Sequence, residues 1–201
     1  MVGHVRRSPL LIILSGPSGV GKDAIVNRMR ILDVPIHFTV TATTRAIRPN
    51  EQEGVDYTFL SAKTFDEMRE QREFLECAEV YGNWYGVPKS QVTNAMQSGI
   101  DVLIKADVQG AATIKRIAPQ AVMVFVVPPS LHELERRLRW RMTESDESLR
   151  LRLETARGEM AHVAAFDYTV TNDALDDAVH QLNCIITAEK CRMPPRVVKL
   201  D

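Results

Sequence analysis

Gly16-Pro17-Ser18-Gly19-Val20-Gly21-Lys22-Asp23 is the stretch that decides the fold. Ahead of it, Pro9-Leu10-Leu11-Ile12-Ile13-Leu14-Ser15 is an apolar run with the length of a fully buried strand. Behind it, Ala24-Ile25-Val26-Asn27-Arg28-Met29 sets apolar residues at helical spacing. A buried strand, a glycine turn and a helix opening at Lys22 are the context that a phosphate-binding loop requires, and the spacing G-x-x-x-x-G-K is met in full. The glycines let the backbone curl so that successive N–H groups point inward, and the helix N-terminus adds its partial positive charge. Lys22 then reaches the β- and γ-phosphates of a nucleotide. Asp23 stands where the motif has Ser or Thr, whose hydroxyl would hold Mg2+, and a carboxylate is itself a hard ligand for that ion.

The 201 residues suit one α/β domain with inserted lobes. Apolar residues make up 45% and charged residues 25%, which is ordinary globular composition. A net charge of −1 gives no general attraction to nucleic acid or to an acidic membrane, so neither is expected as a partner. Three cysteines, Cys77, Cys184 and Cys191, lack metal spacing and read as reduced thiols in the cytoplasm. Cys77 lies in an apolar run and is expected in the core. Nothing near the N-terminus resembles a signal peptide, and no apolar run approaches the ~20 residues of a membrane span.

Along the chain, His37-Phe38-Thr39-Val40-Thr41 alternates as a short strand, and residues 42–54 form a polar loop. Asp56 to Leu60 reads as a strand, with Ser61 the N-cap of a helix to about Gln71. Glu73 to Val80 and Trp84 to Val87 read as two strands around Gly82-Asn83. Residues 37–87 are thus mostly strand, and this shift in pattern marks an inserted lobe. From Lys89 the α/β alternation returns. Strands are expected at Asp101–Ala106, Ala121–Val127 and Asp167–Thr171. Helices are expected at Gln109–Ile117, after Ser130, from about Glu144 to His162, and from Ala174 to about Lys190. Alternating strands and helices imply a parallel sheet with its ligand at the carboxyl ends of the strands.

Seven motifs narrow the nucleotide chemistry: Thr43-Thr44-Arg45-x-x-Arg48-Pro49, Gly54-Val55-Asp56-Tyr57-x-Phe59, Glu73-Phe74-Leu75-Glu76, Gly82-Asn83-Trp84-Tyr85-Gly86, Asp107-Val108-Gln109-Gly110, Pro128-Pro129-Ser130-Leu131 and Asn172-Asp173. In this order and spacing they resemble the guanylate kinase family over roughly residues 9–190. The resemblance implies a P-loop nucleoside monophosphate kinase fold, with a parallel sheet core (1–35, 90–134 and 158–201), a GMP-binding lobe (36–89) and a lid (135–157). It also implies an ATP-dependent phosphotransferase with Mg2+, acting on GMP and dGMP, as a monomer or homodimer.

Each implied site residue has a chemical reason. Gly16 to Asp23 would bind ATP. Arg45 and Arg48 supply forked donors to the acceptor phosphate, and Tyr57 and Tyr85 add hydroxyl donors without adding charge. Guanine presents N1–H and an exocyclic amine as adjacent donors; Glu76 matches that edge, with Asp107 near the nucleoside and Thr41 as a hydroxyl contact to the base. Adenine would leave the buried carboxylate unpaired. The lid arginines Arg137, Arg141 and Arg152 would join Lys22 and Arg45 as catalytic residues that neutralise charge on the transferred group. None of the five histidines sits in a motif.

Five positions depart from the family pattern. Val87 replaces a hydroxyl residue after the Tyr-Gly pair, and Trp140 and Met142 replace glycines in the lid. Lys105 occupies a position that is usually acidic, and Asp23 ends the P-loop. The order of strands brings Asp23 and Lys105 toward the same end of the sheet; Asp23 is expected to hold Mg2+, directly or through water, with Lys105 paired to Asp23 or to a phosphate. Two other readings of the chain stay open: a non-catalytic guanylate-kinase-like binding module, and a related P-loop kinase for a phosphorylated sugar.

Overall fold

A computed structural model of the chain describes residues 8–49, 51–80, 82–140 and 146–200. The order is β1 (Leu11–Ser15), α1 (Lys22–Ile31), β2 (Ile36–Phe38), β3 (Thr41–Thr43), β4 (Tyr57–Phe59), α2 (Ala62–Glu70), β5 (Phe74–Val80), β6 (Asn83–Pro88), α3 (Lys89–Gln97), β7 (Asp101–Lys105) and α4 (Val108–Ile117). There follow β8 (Val122–Val127), α5 (Leu131–Trp140), α6 (Asp146–Met160), a 3-10 turn (Val163–Ala165), β9 (Tyr168–Thr171) and α7 (Leu175–Lys190).

Five strands form a parallel sheet in the order β2-β7-β1-β8-β9. The apolar run at residues 10–14 sits at its centre because it is hydrophobic on both faces. Leu10, Ile12 and Leu14 pack into one core with Ile25, Met29, Val124 and Leu182, while Leu11 and Ile13 pack into a second with Val92, Ala111, Ile114 and Met123. Truncating any of these fully buried leucines or isoleucines to alanine costs about 2–5 kcal/mol. Crossovers reverse direction on either side of β1, so the loop after it opens into the crevice where such sheets bind ligands.

The second sheet has the order β4-β3-β6-β5 and carries the strand-rich segment. The single strand expected over 37–41 is two strands in two sheets. Ile36–Phe38 pairs with β7 in the core, whereas Thr41–Thr43 pairs with β4 and β6. The switch occurs at Val40, whose N–H and carbonyl both bond to the Gln91 side-chain amide, at 2.8 and 3.0 Å, instead of to a strand. Cys77 lies opposite Gly86 in this sheet and is half-buried, outside both cores.

Local signals act as expected where they are strong. The Ser61 side chain accepts from the Thr64 N–H at 3.1 Å, Ser130 from the Glu133 N–H at 3.1 Å, and Asp107 from the Gly110 N–H at 2.7 Å, each satisfying a donor orphaned at a helix start. The C-terminal segment is docked: Arg196 makes a two-pronged pair with buried Glu189 at 2.8 and 3.0 Å, and Val198 and Leu200 pack on the second core.

Candidate active site

The loop from Gly16 to Gly21 runs from the end of β1 to the start of α1. Gly21, the residue before α1, has φ of +100°, and a Cβ there would strike the Asn172 side chain. Only glycine satisfies both conditions. Asn172, which follows β9, is 5% exposed and donates through Nδ2 to the Val20 carbonyl at 2.8 Å, tying the loop to the far edge of the sheet. Lys22 folds back on the loop, its ammonium donating to the Gly16 and Pro17 carbonyls at 2.5 and 3.2 Å. Burial pulls its pKa below the ordinary lysine value, with Lys105 adding to that effect and Glu159 and Asp23 opposing it. Such an ammonium gains when phosphate oxygens replace neutral carbonyls. A cleft of about 410 Å3, lined by Gly19, Gly21, Ala24, Arg137 and Asn172, opens beside the loop, within the size range of ligand sites.

Helix α5 packs directly on the loop. A Cβ on Gly19 would lie 2.6 Å from a Leu138 methyl, and Leu134 and Leu138 are each 1% exposed. Arg137 on this helix donates to the Asn172 carbonyl at 2.9 Å and is paired with Glu133 at 2.7 Å, at the rim of the cleft. Arg152 is half-buried on α6. Arg141, like Met142, lies outside the described residues.

The second sheet contributes a cationic end and an acidic end. At the cationic end Arg45 makes a bidentate pair with Glu51 at 2.7 and 3.0 Å, and the Arg48 N–H donates to the same carboxylate at 2.9 Å. The Arg45 guanidinium also lies 5.3 Å from the Tyr57 ring centroid, and Tyr57 meets Tyr85 edge to face at 6.0 Å. Arg45, Tyr57 and Tyr85 are therefore one cluster, whereas the Arg48 side chain is 59% exposed. Although burial opposes ionisation of Glu51, the Arg45 fork and the Arg48 N–H hold its carboxyl below the usual range.

At the acidic end Glu76 is 9% exposed, and among the described residues its carboxylate has no hydrogen-bond partner. It lies against Gly110, where a Cβ would sit 2.9 Å from its Oε1. Burial, reinforced by the Asp107 charge, pushes its pKa up to about 7. Thr41 is 7% exposed and its hydroxyl is buried without a hydrogen-bond partner among the described residues. Val87, 1% exposed, sits opposite Glu76 in the strand register and belongs to the apolar core, so no hydroxyl faces the pocket there.

Asp23 and Lys105 form the expected ion pair, which bridges α1 and the end of β7. Two carboxylates that contact candidate site residues escaped the sequence reading. Glu159 accepts from the Ser18 N–H, and Glu51 occupies the Arg45 fork. Neither stands in a motif spacing that ties it to its partner.

A parallel sheet with a phosphate loop at its switch point, facing a smaller sheet that carries an arginine-tyrosine cluster and a buried carboxylate, defines the P-loop nucleoside monophosphate kinases. The match to known proteins is narrower. The guanylate kinase family model matches residues 8–189, and the chain belongs to the guanylate kinase family. It is 45% identical over 184 residues to the guanylate kinase of Desulfitobacterium hafniense, with 92% of each chain covered. Identity to the Rickettsia bellii guanylate kinase is 42% over 181 residues, covering 90% of this chain and 95% of that one. The crystal structure of guanylate kinase from Anaplasma phagocytophilum superposes with a TM-score of 0.79 at 31% identity, over 93% of this chain and 89% of that one.

Proposed function

We propose that the chain transfers the γ-phosphoryl group of ATP to GMP or dGMP, releasing ADP and the guanine nucleoside diphosphate. The observation that carries this reading is Glu76, a buried carboxylate with no hydrogen-bond donor among the described residues. Burying such a group is costly unless a ligand pairs with it. Guanine supplies two adjacent donors and adenine does not, so the site selects the base by what it would leave unpaired. Thr41 offers its unpartnered hydroxyl to the same base, and Asp107 retains Oδ2 for the nucleoside.

Arg45, Arg48, Tyr57 and Tyr85 hold the acceptor phosphate, with the Arg45 fork already aimed and neutralised by Glu51. Gly16 to Lys22 hold the ATP phosphates through backbone N–H groups and the Lys22 ammonium. Arg137, Arg141 and Arg152 close the charge shell from the lid. An oxygen of the acceptor phosphate forms the bond to the γ-phosphorus as the β–γ bridging P–O bond breaks, its electron pair leaving with ADP. The acceptor is already an anion, so no general base is required. Catalysis is positioning and charge neutralisation.

Asp23 is the residue that would hold Mg2+. Mg2+ uses one or two carboxylates together with substrate phosphates, so a single carboxylate at the foot of the phosphate loop, paired in the free protein with Lys105, suits it. Among the described residues no three His, Cys, Asp or Glu side chains form an all-protein cage. When bound, the ion screens the triphosphate and offsets charge on the leaving oxygens. Among the described residues no helix is long and apolar enough to cross a membrane. Three free thiols fit work in the reducing cytoplasm.

A coupled assay of ADP release across GMP, dGMP, AMP, CMP and UMP tests the reading. Turnover with the two guanine nucleotides and little with the rest is expected. Equal rates with AMP, or none with GMP at any Mg2+ concentration, would overturn it.

A further inference from the structure

Lys105 ends β7 between the two halves of the site. Its ammonium pairs with Asp23 in the first turn of α1 and lies 4.6 Å from the centroid of the Tyr57 ring in the second sheet. The Lys105 side chain is 16% exposed and that of Asp23 47%. One cation thus touches both the helix that opens from the phosphate loop and the tyrosine cluster around Arg45. Lys22 is also an electrostatic neighbour of Lys105, so the ammonium stands between the phosphate loop and the tyrosine cluster. Burial opposes its charged form, but Asp23 and Tyr57 more than offset this and hold the pKa above the ordinary lysine value.

This pairing cannot persist unchanged once ATP fills the loop. A triphosphate brings several negative charges beside the Asp23 carboxylate, and a partly buried site screens their repulsion poorly. Sharing a divalent cation with the phosphates relieves it. A carboxylate bound to that cation attracts Lys105 less, while the arriving phosphates attract it more. The Tyr57 contact holds the ammonium at the border between the lobes and keeps it from following the metal.

We propose that Lys105 is a catalytic residue gated by Asp23: the carboxylate holds the ammonium in the free protein and releases it when Mg2+ and ATP bind, so that it bridges the donor and acceptor phosphates. This rests on the kinase reading above. Lys105 forms no covalent bond and gives up no proton; it neutralises charge along the line of transfer. The gating makes binding of the two substrates cooperative, because the cation becomes available to the acceptor phosphate only after the donor has engaged Asp23.

Calorimetric binding tests this apart from turnover. In the wild type, GMP is expected to bind about tenfold more tightly when a non-hydrolysable ATP analogue and Mg2+ are present. Lys105→Met should abolish that gain, so that GMP binds equally tightly with and without the analogue. Asp23→Asn should bind metal-free ATP about tenfold more tightly and lose most of the tightening that Mg2+ brings. Retention of the GMP gain in Lys105→Met, or of the Mg2+ effect in Asp23→Asn, would overturn the proposal. If either single variant fails to fold, Asp23→Asn with Lys105→Met removes both charges together and must lose both effects. A wild type that neither binds nor phosphorylates GMP would instead strike the kinase reading, and the ATP and Mg2+ measurements on Asp23→Asn would still decide the gate.

Discussion

The carboxylate of Glu159, at the end of α6, accepts a hydrogen bond from the backbone N–H of Ser18 at 3.1 Å, across 141 residues of sequence. Ser18 lies inside the loop proposed to cradle the ATP phosphates, so a protein carboxylate occupies one of that loop's N–H donors. Burial raises the Glu159 pKa, although Lys22 and the Ser18 N–H pull the other way. ATP must displace this contact or accept a negative neighbour. Glu159→Gln should therefore bind ATP about tenfold more tightly, the weight of one charge-assisted contact, with GMP affinity unchanged. Calorimetric titration with each nucleotide checks it, and weaker ATP binding would show that Glu159 shapes the loop and does not compete for it.

Glu51 plays a comparable part in the other lobe. Arg45 and Glu51 are 12% and 15% exposed and joined by a fork. Removing one member of a buried pair strands the other, at a cost of about 3 kcal/mol or more. Glu51→Gln should lower Tm, and because the GMP phosphate then supplies the missing anion, GMP should raise Tm more in the variant than in the wild type. Equal shifts in a thermal melt with and without GMP would show that the phosphate does not reach Arg45.

These two contacts mark where the sequence stops being legible. The phosphate loop, the buried strand at 11–15 and the serine and aspartate caps are set by local chemistry, and the structure carries each of them. Asp23 and Lys105 could be paired in advance because the order of strands places both at one end of the sheet. Glu159 and Ser18 share no period, motif or strand order, and their contact depends on how α6 packs. The alternation at 37–41 is real, but a period of two does not say which sheet each half joins. That was decided by Gln91, a polar helix residue that takes both backbone groups of Val40. Glu76 was legible as a candidate for reading the base only through the family resemblance, since EFLE alone is equally a half-exposed strand.

The pKa of Glu76, pushed up to about 7 by burial and the Asp107 charge, gives the site a pH signature. Guanine donors need the ionised form, so GMP affinity should rise as pH climbs through 7 and level off above it. Stability moves the other way. Unfolding releases Glu76 to an ordinary carboxyl value, so between about pH 4.5 and 7 the folded state binds the extra proton, and this group's contribution falls as pH rises. GMP has its own phosphate ionisation near pH ~6, so the comparison is with Glu76→Gln. That variant should lose roughly ten- to hundredfold in GMP affinity at pH 8 and lack the inflection near 7. Isothermal titration from pH 5.5 to 8.5, with both proteins showing the same profile, would remove Glu76 from the base site.

Gly110 gives a way to move that carboxylate without altering its charge. The residue lies inside α4, where alanine is the better helix former by about 1 kcal/mol. A methyl group at this position would sit 2.9, 3.0 and 3.1 Å from the Oε1, Cδ and Oε2 atoms of Glu76. These distances are too short to keep, and the Glu76 side chain can yield more easily than the helix backbone. Stability and function should therefore separate. Gly110→Ala should hold or raise Tm while KM for GMP rises about tenfold or more, because the carboxylate no longer meets both guanine donors at once. The ATP affinity of the phosphate loop should be unchanged, and discrimination against AMP should narrow because only the GMP side is weakened. The paired measurement is a thermal melt and steady-state kinetics on the same preparation. A fall in Tm with unchanged KM would mean that the helix, and not Glu76, had moved, and would take away the role assigned to this contact in reading the base.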